Sequence, residues 1–181
     1  MCDEHPKSAG PSRRDFAGLA ASAAALTLIP MRSWAADVKL DALCVMCIDY
    51  RLVDRAVKFF DSNVGPEKYD LVALAGASLA AVGPAFPASN AAFWSHIDIA
   101  KSLHNIQKVV ILDHRECGAY KVQYGTLYAG NGAPEYEQHR EIMKLVQGEF
   151  ERRKVGLPCE FWLMPVAPGE PVPVPLLPEK K

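Results

Sequence analysis

The chain has no surplus of positive charge. Its 20 lysines and arginines stand against 21 aspartates and glutamates, for a net charge of −1. Nothing is left over to neutralise a run of phosphates, which excludes nucleic acid as an expected partner. Cysteine is sparse. Five in 181 residues do not make a disulfide scaffold. Charged residues make up only 23% and hydrophobic ones 50%, so the chain is neither disordered nor a multi-span membrane protein. Twelve scattered glycines exclude a collagen-like fibre, and no internal repeat is visible. One domain and little more is expected from this length.

The first 35 residues stand apart. Ser12-Arg13-Arg14-Asp15-Phe16 leads into an apolar run from Phe16 to Ile29, and Pro30 ends it. That run is too short to span a bilayer, which takes roughly 20 residues as a helix. Ser33-Trp34-Ala35 then offers small residues at the −3 and −1 positions of a cut after Ala35. An amphipathic helix with two surface arginines would use the same residues. The order of arginine pair, apolar run and cleavage site resembles a twin-arginine export signal. That resemblance implies a folded protein handed to the twin-arginine export machinery, and a periplasmic or otherwise exported location.

In the remainder, Leu43 to Ile48, Tyr69 to Ala75, Val109 to Leu112 and Glu160 to Val166 are short apolar runs that predict strands. Between them, Leu52 to Phe60, residues 90–104, Gly118 to Tyr128 and residues 135–153 predict helices. Ser89-Asn90 is a candidate cap for the second helix and Asn131-Gly132-Ala133-Pro134 a break before the last. Ile142, Met143, Val146 and Phe150 form one stripe of that last helix. Strands alternating with helices predict an α/β fold, a mainly parallel sheet covered by helices on both faces. The domain is expected over residues 36–166, and the proline-rich tail, 167–181, is expected to be extended and poorly ordered.

In such sheets ligands gather beyond the carboxyl ends of the strands. There the sequence places Cys47-Ile48-Asp49-Tyr50-Arg51 after the first strand and His114-Arg115-Glu116-Cys117-Gly118 after the third. Two thiolates and an imidazole suit zinc, and three protein ligands leave the open position of a catalytic site. Cys47, His114 and Cys117 are therefore the candidate ligands. Asp49 is a candidate acceptor for the hydrogen of a zinc-bound hydroxide, whose lone pair would then face an electrophilic carbon. On an extended segment Arg51 would lie on the same side as Asp49 and keep it off the metal through a bidentate pair.

Cys-x-Asp-x-Arg followed far downstream by His-x-x-Cys-Gly resembles the β-class carbonic anhydrases over roughly residues 40–165. Ala75-Gly76 and the Ser95 to Leu103 stretch are weaker echoes of the same family. The resemblance implies a zinc lyase that interconverts CO2 and bicarbonate, a β-carbonic-anhydrase-like sheet, and a homodimer or higher homo-oligomer with its site near the subunit interface. It departs from the family at Ala73-Leu74, where Arg-Asn is expected, and at Asp113, where glycine precedes the zinc histidine. Two other functions fit the same metal set. One is a zinc hydrolase of a related small electrophile, carbonyl sulfide or carbon disulfide. The other is a zinc-binding protein without turnover.

Plainer roles exist for each residue. Cys47 and Cys117 could be ordinary buried thiols. Asp49–Arg51 could be a surface ion pair. Cys44-Val45-Met46-Cys47 could be a redox pair, although strand residues three apart face opposite sides and put Cys44 in the core. Cys159 is expected as a buried strand thiol. His96, His104 and His139 are expected as surface or packing residues, and Phe93, Trp94 and Tyr120 as core. Asp113 could orient a ligand or cap the turn that follows it.

Overall fold

The structure is a computed structural model that describes residues 39–125 and 132–176. The export signal expected over 1–35, the end of the helix expected at 118–128, Asn131 and the last five residues of the tail lie outside the described residues.

Alternation along the first strand explains the layering. In β1, Ala42–Met46, the side chains of Leu43 and Val45 join one apolar cluster while Ala42, Cys44 and Met46 join another. A strand buried on both faces needs cover on both. On the Cys44 side the cover is α1, Val53–Asn63, which packs Ala56 and Phe60 against Val110 and Leu112. On the Leu43 side it is supplied by two long helices, α3, Pro87–His104, and α5, Ala133–Arg152, through Phe93, Ile97, Met143, Val146 and Phe150.

The remaining elements follow in chain order. β2 is Tyr69–Ala73, α2 is the short helix Ser78–Val82, β3 is Lys108–His114, and α4 is Gly118–Tyr124. β4 is Cys159–Met164 and β5 is Val172–Pro173. The sheet order is β2-β1-β3-β4-β5, with the first four strands parallel and β5 antiparallel to β4. The expected α/β architecture is therefore present. The carboxyl ends of β1 and β3 lie side by side, with Met46 in register with Leu112.

Two local expectations are corrected. α3 starts at Pro87, not at a Ser89-Asn90 cap, because proline suits the first turn, where its missing N–H costs nothing. Asn90 instead reaches back with its side-chain amide to the Ala81 carbonyl. The tail as far as residue 176 is extended but docked. Arg55 donates to the carbonyls of Val166 and Gly169 at 2.9 and 2.7 Å, β5 pairs with Trp162 and Leu163, and Val174 is buried. These long-range contacts leave no periodicity in the local sequence.

Candidate metal centre

Cys47 follows β1 directly, His114 ends β3, and Cys117 immediately precedes α4. Sixty-seven residues separate the first two in sequence, and the adjacent parallel strands bring them together. Their ligand atoms all lie within 4.8 Å of one another, and all three residues are buried. The two sulfurs are 3.8 Å apart.

The imidazole is oriented. His114 Nδ1 donates to the Arg115 carbonyl at 2.7 Å, which fixes the tautomer and leaves the Nε2 lone pair free. Nε2 is buried and has no hydrogen-bond partner. Such an atom is costly to bury unless something binds it, and a metal ion between Nε2 and the two sulfurs would satisfy it. The residues present therefore fit zinc.

Charge is distributed unevenly across the two sulfurs. The Cys117 thiol donates to Cys47 and draws the Cys47 thiol well below its usual range, against the opposing effect of burial. His114 and the Gly76 N–H, 3.3 Å from Cys47 Sγ, act in the same direction. Cys117 is pushed up by the same pairing and by burial. Burial presses His114 down, but the neighbouring Cys47 thiolate, with the Arg115 carbonyl and Asp49, outweighs that and the net direction is upward. These opposite directions favour a thiolate at Cys47 and a thiol at Cys117 in the metal-free centre.

Gly76 can approach the sulfur because it has no side chain. Its φ is +81°, and a Cβ there would meet Leu79 Cβ at 2.9 Å and Ala119 Cβ at 3.1 Å. The echo at Ala75-Gly76 therefore has a local physical cause.

Asp49 and Arg51 are paired, though not by strand alternation. β1 ends at Met46, and residues 50–52 form a turn. Asp49 Oδ1 accepts from the Arg51 backbone N–H at 3.0 Å, an Asx-turn. The guanidinium then closes on the same carboxylate, Nε to Oδ1 at 2.9 Å and Nη2 to Oδ2 at 2.7 Å. The turn brings the two side chains together where an extended segment would only have aligned them. Arg51 holds the Asp49 carboxyl below its usual range, so it is ionised at neutral pH. Asp49 Oδ2 lies 3.8 Å from His114 Nε2. The exposed Asp49–Arg51 pair would by itself contribute only about 0–1 kcal/mol to stability.

Cys44 lies in the cluster under α1, while Cys47 lies in a separate cluster with Leu79, Cys117, Tyr120 and Ile142. Burial pushes the Cys44 thiol up, so Cys44 is a core thiol. Cys159 is half-buried at the start of β4. Phe93, Trp94 and Tyr120 are buried and His96 is exposed. His104 pairs with Asp70 at 2.8 Å.

Asp113 does not cap the turn that follows it. Its carboxylate accepts from the Ser78 N–H at 2.8 Å, capping α2 across 35 residues of sequence, and also from the Ser78 and Tyr120 hydroxyls. His139 is no surface residue. It is fully buried and donates from Nδ1 to Asp113 Oδ2 at 2.7 Å. Ser78, Glu135 and His139 carry no motif. The one available signal was the stripe of the last long helix, which Glu135 and His139 extend toward its start at helical spacing.

Residues 38–148 match the model of a family described as "Putative carbonic anhydrase". The chain belongs to that family. Two Rickettsia proteins, each described only as uncharacterized, are similar over 117 residues, 62% of this chain. The Rickettsia bellii protein is 35% identical with 71% of its length covered, and the Rickettsia conorii protein is 33% identical with 63% covered. The chain thus spans less than two thirds of the second relative. A solved structure, the β-carbonic anhydrase CafA of Aspergillus fumigatus, aligns with 92% of this chain and 89% of its own, at 17% identity and a TM-score of 0.45.

Proposed function

We propose that the chain is a zinc-dependent carbonic anhydrase that interconverts CO2 and bicarbonate. The observation that carries this is the buried, unpartnered Nε2 of His114, facing Cys47 and Cys117 with the Arg51-clamped Asp49 beside it. Family membership supports the same conclusion.

Cys47, His114 and Cys117 would hold the metal. Bound zinc would lower the pKa of water from 15.7 to about 7 and so supply a nucleophile at neutral pH. The chain's own residues do the rest. Asp49, kept ionised by Arg51, accepts the hydrogen of the attacking oxygen and turns its lone pair toward CO2. Arg51 occupies both Asp49 oxygens, which restrains the carboxylate from taking a ligand position. His114 keeps Nε2 directed inward through its bond to the Arg115 carbonyl.

A second function has one specific observation behind it. Ala73 and Leu74 place no polar group where the β-class pattern has Arg-Asn. Leu74 instead packs against the core beside α3 and α5. That favours a zinc protein without CO2 turnover, or one acting on carbonyl sulfide or carbon disulfide. The working form is proposed to be a homodimer or higher oligomer. Ile48 and Tyr50, which flank Asp49 and are 62% and 87% exposed, support this. Export through the twin-arginine route is proposed from residues 12–35 alone. CO2 hydration by the zinc-loaded protein, followed by stopped-flow pH change, tests the central proposal. Zinc binding without hydration would overturn it in favour of the second function.

A further inference from the structure

His114 and Cys117 are joined by a strained connection. Glu116, between them, has φ +55°, a left-handed conformation disfavoured for a residue with a side chain. Such a conformation persists only where the surroundings hold it. The residues on either side of His114 are held by one helix, α5, through the Asp113 side chain before it and through the Arg115 side chain and Glu116 N–H after it.

On the near side, Glu135 is buried in the first turn of α5. Its Oε1 accepts the Glu116 backbone N–H, and its Oε2 lies 3.2 Å from Arg115 Nη1. Arg115 Nη1 also donates to the Gly132 carbonyl at 3.0 Å, at the residue preceding α5. One turn on, His139 donates to Asp113, the residue before His114. Its ring packs against Tyr120 at a 40° tilt, centroid to centroid 4.0 Å, and Tyr120 lies on the helix that Cys117 opens. Positions 135 and 139 are four apart and share one helix face. That face therefore grips residue 113, residues 115–116 and the helix following residue 117.

We infer that Glu135 and His139 are positioning residues for the metal centre, acting through the Glu116 N–H and the side chains of Arg115, Asp113 and Tyr120 and touching neither metal nor substrate. The inference rests on the zinc site proposed above. A buried carboxylate and a buried imidazole on a helix otherwise lined with Ile142, Met143, Val146 and Phe150 are costly where apolar residues would suffice. Each is satisfied by the ligand segment or its immediate neighbour. Partners of this kind typically change metal affinity 10–100-fold when removed.

The test compares zinc affinity with thermal stability in the full chain, using competition with a chromophoric chelator. Glu135→Ala and His139→Ala are expected to raise the zinc dissociation constant by roughly 10–100-fold. They should also shift the thiolate-to-cobalt absorption of the cobalt-substituted protein. Glu135→Gln, which keeps an acceptor for the Glu116 N–H, should recover most of the loss. Val146→Ala, fully buried on the same helix and remote from the ligand segment, should lower Tm and leave zinc affinity unchanged. Should the alanine variants fail to fold, Glu135→Met and His139→Phe, which keep volume and remove the hydrogen bonds, carry the same comparison. Unchanged affinity and cobalt spectrum in folded variants that lack the acceptor or donor would overturn the inference. So would losses that merely track Tm in all variants, Val146→Ala included. A parent protein that binds no zinc would overturn the metal site itself, an outcome separable because it appears before any substitution is made.

Discussion

Asp49 Oδ2 and His114 Nε2 lie 3.8 Å apart without a hydrogen bond between them. The carboxylate is near enough to act on what His114 binds, and its oxygens are taken by Arg51. The first prediction tests this relationship.

Asp49→Asn preserves shape and removes the charged acceptor. Turnover should fall by ~10²–10⁴-fold, the usual contribution of a positioned proton acceptor, with zinc still bound. Arg51→Ala should also lower activity, by a different route. It frees Asp49 to take the fourth ligand position, so a structure of the zinc-loaded variant should place a carboxylate oxygen at ~2.0–2.2 Å from the metal. Parent-like CO2 hydration in both variants would reduce the pair to a surface contact.

One zinc per chain is expected, lost largely in Cys117→Ser and measurable by metal analysis. The sign of its pH dependence follows from the metal-free centre. Cys47 is already a thiolate, because its pKa is lowered, whereas Cys117, raised, keeps its proton until metal displaces it. His114 is raised above the usual histidine range and begins to bind a proton as pH falls through that raised value. Zinc binding should therefore release about one proton above that value and approach two below it, with affinity falling in acid. Calorimetry in buffers of different ionisation enthalpy reads the count directly. Zero protons released at neutral pH would show that both cysteines are ionised before metal arrives.

Gly76→Ala should destabilise the protein by roughly 1–3 kcal/mol, through a left-handed backbone and contact with Leu79 and Ala119. The shift should also move the N–H that Cys47 accepts, so zinc affinity should fall along with the urea midpoint. A neutral substitution would mean that the backbone at residue 76 relaxes freely.

Arg13→Lys with Arg14→Lys keeps the charge of the amino-terminal segment. Export should stop, read by fractionation of the producing cells. Continued export would indicate a general secretion signal.

The sequence revealed those parts of the molecule whose cause is local. Leu43 to Met46 and Val109 to Leu112 are apolar on both faces and are the two central strands. The candidate ligands could be picked out because metal chemistry restricts residue type and the strand ends restrict place, and the fold brings Cys47, His114 and Cys117 within 4.8 Å of one another. The Asp49–Arg51 pair was legible as a pair but not in its geometry. An Asx-turn and a strand end look alike in five residues. The supports of the ligand segment were not legible. Asp113 meets Ser78 across 35 residues and His139 across 26, and neither contact leaves a pattern in the chain. Glu135 and His139 read as polar positions on a predicted helix until the fold shows that they continue its buried stripe.

The docked tail carries one further consequence. Val174 donates its N–H to the Phe161 carbonyl at 2.9 Å, so the inward-facing amides of this short antiparallel segment fall on even-numbered residues. The alternate positions are Pro171, Pro173 and Pro175. Those are the residues whose amides would point away from the sheet, and proline has none to offer. The rim beyond β5 thus lacks the donors on which another chain could zip up. Proline at alternate positions thereby disfavours edge-to-edge growth on that side of the sheet.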